Sequence, residues 1–343
     1  VSPDKQEYYC FGCHKGGSLV NFVMEMERVS YPDAIRMLAD RAHMEIPEEI
    51  DERALKQQRE KKERLYEANR MAARFFYDQL KGEEGRSARA YLARRGVSPQ
   101  TAVEFGLGFA PREWEALTNA LLKEGFSKEE LVEAGLAVRS KKGEDGAFDM
   151  FRGRVVFPII GTYQKVIGFG GRAMGDEQPK YLNTPDTPVF NKRYNLYGLN
   201  RLRGSSAGSL VLVEGYMDVV SLSQAGVMGA VATLGTALTP QQARLMKRYV
   251  PLVYVAYDGD DAGQNAILRA LDIFEAEGME TKVIRFPGGL DPDEFIQKEG
   301  AAGFDELRQT AMSKNSFRLA NLASRYDLAT EDGRMALAHA GSA

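Results

Sequence analysis

The chain has 343 residues, of which 44% are hydrophobic and 27% charged, and its formal net charge is −3 at pH 7. This balance is typical of globular domains with sizeable apolar cores, and it excludes a uniformly basic nucleic-acid-binding protein. No apolar run approaches the length of a membrane span, and the first residues lack the basic and apolar regions of a signal peptide. The only two cysteines, Cys10 and Cys13, lie close together, which favours a reducing, cytoplasmic compartment.

Charge is unevenly distributed along the sequence. Residues 152–203 carry nine Lys or Arg and three Asp or Glu, a net charge of +6, whereas residues 204–299 carry seven and thirteen, a net charge of −6. A basic segment beside an acidic one suits a protein that binds a polyanion with one surface and metal ions with another. Charged blocks are more commonly solvated faces, so charge alone does not decide between the two.

The first half of the chain predicts mainly helices. After the cysteine-containing residues 1–47, a charge-dense stretch over residues 48–64 predicts a solvated helix or a linker. Apolar residues at three- and four-residue spacing predict helices over residues 65–135, one of them capped by Ser98 with a proline in its first turn. Residues 152–171 predict two strands joined by a turn.

The pattern changes after Gly204, where strand-like and helical segments alternate. The apolar runs SLVLVEGY, GAVATLG, LVYVAYD and TKVIRFP each predict a buried strand, and a helical segment follows each of them. Thr239 predicts a helix start, because a proline and a glutamine follow at the positions of a capping box. The alternation predicts an α/β fold with a parallel sheet and helical crossovers, followed by a helical tail from residue 301.

Six acidic residues are expected to converge at one edge of this sheet, because the ligands of an open parallel sheet gather beyond the carboxyl ends of its strands. Most of them follow the ends of the first, third and fourth predicted strands, and Asp218 lies one helical turn beyond Glu214. The predicted carboxylate set is Glu214, Asp218, Asp258, Asp260, Asp291 and Asp293.

The carboxylate set predicts a divalent metal site. Carboxylates held close together repel one another, and a cation removes that cost. Oxygen ligands without nearby His or Cys favour Mg²⁺ or Mn²⁺ over zinc, and Gly215, Gly259 and Gly263 allow sharp turns beside the ions. Each aspartate taken singly is more commonly a helix cap or turn residue, but the whole set at one sheet edge favours the metal site.

The Glu-Gly and Asp-Gly-Asp motifs at Glu214 and Asp258 resemble the TOPRIM domain, which DnaG-type primases, type IA and type II topoisomerases and some nucleases share. The resemblance implies three central metal ligands and catalytic residues, namely Glu214, Asp258 and Asp260. It implies supporting acidic roles for the remaining members of the set, namely Asp218, Asp291 and Asp293.

The basic segment before this domain resembles the N-terminal half of the DnaG primase core, through FRGRVVFPI, GFGGRAM, PKYLNTPDTPVFNK and LYGLNR, as does FGLGFAP upstream. In that family, basic residues form a ridge that holds the single-stranded template and the RNA–DNA hybrid. The nucleic-acid-binding residues that the resemblance implies are Arg152, Arg154, Arg172, Lys180 and Lys192. Tyr181, Phe190 and Tyr197 lie among them and could stack on bases, although core packing is the commoner role of a lone aromatic residue.

The segment that begins CFGCHKGGSLVNFVMEMERVSYPDAIRMLA resembles the second half of the primase zinc ribbon, in which a Cys-x2-His pair precedes this Cys-x2-Cys. Cys10 and Cys13 would then be two of four zinc ligands, whereas the adjacent His14 matches no family ligand position. By spacing alone, one CxxC is equally compatible with zinc, redox chemistry or chance. Because the first pair and an initiator Met are absent, we expect a fragment of a longer protein that binds zinc when intact.

The resemblance covers nearly the whole chain and implies five segments. They are a partial zinc ribbon (1–47), a charged linker (48–64), a mixed α+β basic subdomain of the primase core (65–206), the TOPRIM domain (207–299) and an incomplete helical C-terminal subdomain (300–343). The implied activity is synthesis of short RNA primers on single-stranded DNA from ribonucleoside triphosphates, by two-metal nucleotidyl transfer at the replication fork. The implied partners include the replicative helicase, through a C-terminal domain absent from this sequence.

Two other classes of function remain open. A TOPRIM nuclease would degrade nucleic acid under the same metal conditions without nucleotides, and a topoisomerase would need a tyrosine nucleophile in a separate cleavage domain that the sequence does not suggest. A non-catalytic zinc-ribbon protein would only bind DNA. It would leave the carboxylate set unexplained, because DNA binding would not depend on those side chains.

Overall fold

The computed structural model describes residues 7–9, 16–27, 29, 31–42, 44, 52–140, 146–202 and 208–341. The chain divides into two compact units, Val1–Lys61 and Lys62–Ala343. Among the described residues, none of the helices combines the length and the apolar character that a membrane span requires.

The first unit contains a short hairpin followed by helices. Its elements are β1 (Glu7–Tyr9), β2 (Gly16–Ser18), α1 (Leu19–Glu27) and α2 (Tyr31–Ala42). The two strands pair antiparallel, and Tyr8 packs edge-on against Phe22 of α1 with 5.0 Å between the ring centroids. Helix α3 (Glu52–Lys81) begins in this unit and continues into the second, so the charged stretch before residue 65 is helical from Glu52 onward.

The N-terminal part of the second unit is helical, as the apolar spacing predicts. After α3 come α4 (Arg86–Arg94), α5 (Pro99–Glu104), α6 (Ala116–Lys123) and α7 (Lys128–Glu133). The buried residues of α3 recur every three or four positions, at Leu65, Ala68, Ala72 and Phe76, and they pack into one hydrophobic core. The predicted cap of α5 is confirmed, because the Ser98 hydroxyl accepts a hydrogen bond from the backbone N–H three residues later at 3.0 Å.

An antiparallel sheet of four strands packs beside these helices. The strands of the second unit up to residue 183 are β3 (Gly108–Ala110), β4 (Ala137–Arg139), β5 (Ala147–Asp149), β6 (Arg154–Ile160), β7 (Val166–Ala173) and β8 (Tyr181–Asn183). The sheet has the order β3-β6-β7-β8, and β4 and β5 form a separate two-stranded ribbon. The antiparallel pairing of β6 with β7 confirms the two strands predicted over residues 152–171.

The second sheet is mostly parallel, as the alternation of strands and helices predicts. Its strands are β9 (Ser209–Val213), β10 (Ala230–Ala232), β11 (Leu252–Val255), β12 (Glu280–Val283) and β13 (Met312–Ser313), in the order β10-β9-β11-β12-β13. The first four strands pair parallel, and β13 adds an antiparallel edge. The fold class is therefore α/β with a separate antiparallel sheet.

Helices connect and follow the parallel strands. They are α8 (Tyr216–Gln224), α9 (Pro240–Lys247), α10 (Asp261–Ala276), α11 (Pro292–Gln309), α12 (Lys314–Ala323) and α13 (Glu331–Gly341). The capping box predicted at Thr239 is confirmed, since its hydroxyl accepts from the N–H of Gln242 and the Gln242 side chain accepts from the Thr239 N–H. Helix α11 is longer than the sequence suggests, because a kink at Gly300 joins two helical stretches.

An aromatic cluster joins the two sheets into one core. Phe157 of β6 stacks on Tyr216 of α8 with 5.3 Å between the ring centroids, and Tyr197 meets Tyr216 edge-on at 4.7 Å. All three rings are buried and belong to one hydrophobic cluster with residues of β9 and β10. The antiparallel sheet is thus packed against the carboxyl-terminal end of β9, directly before the predicted site residue Glu214.

Candidate active site

A pocket opens beyond the carboxyl ends of β9 and β11, where the strand order of the parallel sheet reverses. The chain passes from β9 to β10 on one side and from β11 to β12 on the other, and ligands of open parallel sheets bind at such a point. The cavity has a volume of about 250 Å³. Its charged lining residues are Glu214, Asp218, Asp258, Asp291, Arg95, Arg172 and Lys180.

Glu214 and Asp258 follow the two neighbouring strands. Desolvation raises the pKa of Glu214 to about 6, and the negative charge of Asp258 adds to the rise. Desolvation also raises the pKa of Asp258, followed by repulsion from Asp291 and Asp260. These carboxylates are therefore close enough to repel one another, and a cation in the pocket would relieve the repulsion.

Asp218 lies on α8, one helical turn beyond Glu214, and its carboxylate is buried in the wall of the pocket. Its Oδ2 accepts a hydrogen bond from the backbone N–H of Gly215 at 2.9 Å. Burial is the main cause that raises the pKa of Asp218 to about 8, and the charges of Asp291 and Asp258 add to it. Without a cation nearby, this carboxyl group is therefore mostly protonated at neutral pH.

Two of the aspartates also begin helices. Asp291 Oδ1 accepts the N–H of Glu294 at 2.7 Å and begins α11, while Asp260 Oδ1 accepts the N–H of Gly263 at 2.7 Å and begins α10. Asp291 lines the pocket, whereas Asp260 is exposed beside it and raises the pKa of Glu214 and Asp258 through its charge. Asp291 and Asp260 therefore each cap a helix and also place a carboxylate at or beside the pocket.

Asp293 is placed differently from the other five carboxylates. Its side chain is fully buried and lies outside the pocket lining. Oδ1 accepts hydrogen bonds from Ser221 Oγ at 2.5 Å and from Gln297 Nε2 at 2.6 Å, and Oδ2 forms an ion pair with Arg95. Because both carboxylate oxygens are engaged within the protein, these contacts argue against the metal-binding role that the TOPRIM resemblance implies.

The donor set fits a hard divalent cation that keeps much of its water. Within the described ranges, no three His, Cys, Asp or Glu side chains are grouped closely enough to hold an ion by themselves. Mg²⁺ is usually bound through one or two carboxylates, with water and substrate phosphate completing its coordination. Asp258 is repelled by Asp291 and repels Glu214, and these three carboxylates offer that kind of partial site. The Mg²⁺ or Mn²⁺ site stays a prediction.

Two predicted basic residues, Arg172 and Lys180, contribute to the pocket. The guanidinium carbon of Arg172 lies 4.9 Å from the ring centroid of Tyr181 and 5.8 Å from that of Tyr91, and Arg172 also donates to the Tyr181 hydroxyl. Lys180 is exposed just before β8. The aromatic contacts hold the Arg172 charge at the wall of the pocket that the carboxylates also line.

Arg154 is buried and points away from solvent. Its Nη1 donates to the carbonyl of Pro179 at 2.8 Å, and more weakly to those of Gly171 and Lys180 at 3.4 Å each. Burial lowers the pKa of Arg154. The guanidinium therefore holds the segment that presents Lys180, and it is not exposed as a phosphate ligand would be.

Arg152 forms a surface platform with two aromatic residues. Its guanidinium carbon lies 4.3 Å from the ring centroid of Trp114 and 5.2 Å from that of Phe148. Trp114, the only tryptophan in the chain, is 62% exposed. We call the group of Trp114, Phe148 and Arg152 the aromatic platform. Of its three members, only Arg152 is predicted from the sequence. Trp114 could have been noticed as a lone tryptophan within the charged stretch PREWE.

Arg95 is a pocket residue that sequence reasoning missed. It follows the last residue of α4 and precedes Gly96, whose φ of +73° ends the helix. An Arg-Arg-Gly sequence of this kind predicts a helix C-terminus rather than a site. Only the approach of this turn to α11 brings Arg95 to the pocket and to its ion-pair partner Asp293.

The remaining basic and aromatic candidates lie elsewhere. Lys192 is half-buried in a short 3-10 helix outside the pocket lining, and its carbonyl accepts from Gln242 Nε2 at 2.9 Å. Phe190 and Tyr197 are buried in the core, so the suggestion that they stack on bases is wrong and the packing alternative is right. Of the three aromatic candidates, Tyr181 alone lines the pocket.

Three family models match successive parts of the chain. Residues 1–54 match the CHC2 zinc finger, residues 75–203 the N-terminal domain of the DNA primase catalytic core, and residues 211–296 a Toprim-like family. The first match includes Cys10 and Cys13. Both cysteines lie outside the described residues, so their role as zinc ligands stays a prediction.

Sequence similarity to known proteins covers most of the chain. The DNA primase of Clostridium acetobutylicum is 43% identical over 320 residues, which cover 93% of this chain and 53% of that protein. A structure of the DnaG primase catalytic domain bound to single-stranded DNA matches with a TM-score of 0.71 and 37% identity, over 82% of this chain and 91% of the other. The zinc-binding and RNA polymerase domains of Aquifex aeolicus primase match with a TM-score of 0.69 and 36% identity, over 94% of this chain and 77% of the other.

The chain spans about half the length of the curated relatives it matches. Its antiparallel sheet falls within the match to the primase core, and the four parallel strands of the second sheet lie almost wholly within the Toprim-like match. At these identities and coverages, the likeness extends beyond the fold to the family. The chain therefore belongs to the DnaG-type family of bacterial DNA primases.

Proposed function

We propose that this chain is the catalytic region of a primase, which synthesises short RNA primers on single-stranded DNA from ribonucleoside triphosphates. One observation carries the proposal: the carboxylates Glu214, Asp258 and Asp291 share a pocket with the cations Arg172 and Lys180. A nucleoside triphosphate bound with Mg²⁺ or Mn²⁺ presents the complementary pair of charges. Membership of the primase family supports the same substrate class.

The proposed reaction joins two nucleotides. The 3′-hydroxyl oxygen of the primer forms a bond to the α-phosphorus of the incoming nucleotide, the bond to the β-phosphate oxygen breaks, and pyrophosphate leaves. Divalent ions near Asp258, Asp260 and Asp291 would supply charge stabilisation at the attacking and leaving oxygens. Arg95 and Arg172 contribute fixed positive charge that favours the triphosphate and the departing pyrophosphate.

Glu214 is a candidate both for metal binding and for accepting the hydroxyl proton. A pKa of about 6 places its carboxylate within reach of proton transfer near neutral pH. Glu214→Gln distinguishes the two roles when Mn²⁺ affinity is measured together with synthesis. Loss of synthesis with unchanged Mn²⁺ affinity assigns proton transfer to Glu214, and loss of both assigns metal binding.

We also propose that the aromatic platform contacts the template strand. Trp114 offers an exposed ring on which a base can stack, and Arg152 beside it offers a charge for a phosphate. A DnaG catalytic domain with the same fold was solved with single-stranded DNA bound, which supports this class of ligand. Lys180 and the half-buried Lys192 are further candidates for contacts with the template or the RNA–DNA hybrid.

Two proposals concern the longer protein. The match of residues 1–54 to the CHC2 zinc finger supports zinc binding by Cys10 and Cys13 together with ligands beyond this sequence. Since the relatives are about twice as long as the matched region, contact with the replicative helicase would belong to their additional segments. Zinc content of the longer protein, compared with a variant that carries Cys10→Ser and Cys13→Ser, tests the first proposal.

Primer synthesis on single-stranded DNA, with ribonucleotides and Mg²⁺ or Mn²⁺, tests the main proposal. Asp258→Ala and Glu214→Gln are expected to reduce synthesis by about a hundredfold or more, because each removes a group at the reacting phosphate. The control is Glu124→Gln, an exposed acidic residue at the end of α6. Undiminished synthesis by both pocket variants would refute the assignment, and metal-dependent degradation of the strand without nucleotides would favour the nuclease alternative.

A further inference from the structure

The turn that carries Arg95 is fastened to two helices of the parallel-sheet region. Gln297 of α11 donates to the carbonyl of Arg95 at 3.1 Å. Gln224 of α8 donates to the carbonyl of Gly96 at 2.8 Å and accepts the N–H of Ser98 at 2.7 Å. The backbone of this turn is therefore positioned by the helices that follow β9 and β12, although it is distant from them in sequence.

The side chain of Arg95 is held by a buried acidic group. Asp293 Oδ2 pairs with Nη2 of Arg95, and Asp293 itself is fixed by Ser221 and Gln297 through its other oxygen. The Arg95 side chain is 30% exposed, and the Asp293 side chain is fully buried. One end of the guanidinium thus contacts Asp293, while the exposed part belongs to the pocket wall.

The hydrogen bonds of Asp293 differ from those of its neighbour Asp291. Asp291 lines the pocket and uses one oxygen to cap α11, and its other oxygen accepts no hydrogen bond from the described residues. Asp293 uses both oxygens and lies outside the pocket lining. The two aspartates of the Asp-Pro-Asp sequence therefore serve different purposes: one faces the pocket, and the other faces Arg95.

We propose that Asp293 is a positioning residue, which holds the Arg95 guanidinium at the pocket wall for an anionic substrate group, and that it is not a metal ligand. The inference deepens the proposed function, because the anionic group would be the triphosphate of the incoming nucleotide. A guanidinium held by a buried carboxylate and fixed backbone loses little conformational freedom when it binds phosphate. Asp293 acts on substrate binding through Arg95.

The metal part of the inference is tested by calorimetric titration of Mn²⁺ alone into the 343-residue chain and its variants. Asp293→Asn is expected to bind Mn²⁺ like the wild type, whereas Asp291→Asn, which loses one ligand charge, is expected to bind about tenfold more weakly. Equal losses in the two variants would overturn the inference. This comparison needs no primer synthesis, so it is decided independently of the proposed function.

The positioning part is tested through nucleotide binding. Arg95→Ala and Asp293→Asn are each expected to raise the KM for nucleotide, lowering kcat/KM by about tenfold to a hundredfold. The double variant is expected to be no worse than Arg95→Ala alone, because both changes remove the same interaction. Fully additive losses would contradict a role that acts through Arg95.

Two further measurements keep this test decisive. If the wild type makes no primers, the affinity of ATP in the presence of Mn²⁺ replaces KM, and the same non-additivity is expected. If Asp293→Asn unfolds, Ser221→Ala removes one support of the carboxylate while the ion pair remains. That variant is expected to weaken nucleotide binding by a smaller factor and to leave Mn²⁺ affinity unchanged; weakened Mn²⁺ binding would overturn the inference.

Discussion

Gly170 of β7 packs directly against the ring of Tyr216 on α8. A Cβ atom at position 170 would lie 2.5 Å from Cζ of Tyr216, closer than real side chains approach. The Tyr216 hydroxyl also donates to Oδ1 of Asn183 at 2.5 Å. Since Tyr216 is two residues beyond Glu214, the bare glycine allows the antiparallel sheet to approach the carboxylates closely.

Gly170→Ala is expected to destabilise the protein by about 1–3 kcal/mol, because the added methyl group forces the Tyr216 ring or the strand to move. Urea unfolding measures the change. The control is Gly208→Ala, a position where an added Cβ would meet no atom within 4 Å. Similar stabilities for the two variants would show that the sheets tolerate a wider separation.

The stability of the metal-free protein is expected to fall as the pH rises from 3.8 to about 8, in part because of Asp218. A pKa raised from 3.8 to about 8 means that the folded state keeps a proton that the unfolded chain has released. The contribution of this proton to stability is therefore complete below pH 3.8 and is lost as the pH rises through about 8. Melting temperatures in EDTA measure the fall.

Asp218→Asn is the matched variant for this pH dependence. Its amide oxygen can still accept the Gly215 N–H, but it has no proton to lose. The melting temperature of the variant is expected to fall less than that of the wild type over the same pH range. Parallel pH profiles would show that Asp218 does not titrate differently in the folded and unfolded states.

The helix cap and the charge of Asp260 can be separated by two substitutions. Asp260→Asn keeps an oxygen for the Gly263 N–H and is expected to change stability little, whereas Asp260→Ala loses the cap and about 1 kcal/mol. Both variants lose the carboxylate and are expected to lose primer synthesis equally. Full activity in Asp260→Asn would confine Asp260 to its role as a cap.

The aromatic platform predicts two different effects on binding of single-stranded DNA. Arg152→Ala is expected to lower the salt dependence, reducing the slope of log affinity against log salt by about 0.7, as for one lost phosphate contact. Trp114→Ala is expected to leave the slope unchanged and to weaken binding by about 1–3 kcal/mol. Fluorescence titration with an oligonucleotide at several salt concentrations measures both.

The matched control for the platform is Arg70→Ala, an exposed arginine of α3 that pairs with Glu67. It removes one positive charge without touching the platform. A change of slope equal to that of Arg152→Ala would mean that the oligonucleotide responds to net charge rather than to this surface.

Arg154 is expected to affect stability more than DNA binding. Arg154→Met removes the hydrogen bonds to the carbonyls of Pro179, Gly171 and Lys180, of which the Lys180 carbonyl still accepts the N–H of Ala173 at 3.0 Å. The expected cost is about 1–3 kcal/mol in unfolding free energy. The salt dependence of DNA binding is expected to stay the same; a slope reduced as in Arg152→Ala would show that Arg154 reaches the phosphates after all.

The sequence by itself determined the α/β class, the alternation of strands and helices after Gly204, and the caps at Ser98 and Thr239. These features depend on neighbours within a few residues, through apolar periodicity and backbone N–H groups that need acceptors. The convergence of Glu214 and Asp258 was also predictable, because parallel strands bring their carboxyl ends to one edge.

Tertiary structure alone decided which side chains face the pocket. By residue type and spacing, Arg154 and Asp293 cannot be distinguished from Arg152 and Asp291. Both are nevertheless buried, Arg154 hydrogen-bonded to the Pro179 carbonyl and Asp293 paired with Arg95. Conversely, Arg95 reaches the pocket from a turn that its sequence describes only as a helix end. The free energy of a charged group depends on whether its partner is water, a protein dipole or an opposite charge, and that partner is set by long-range packing.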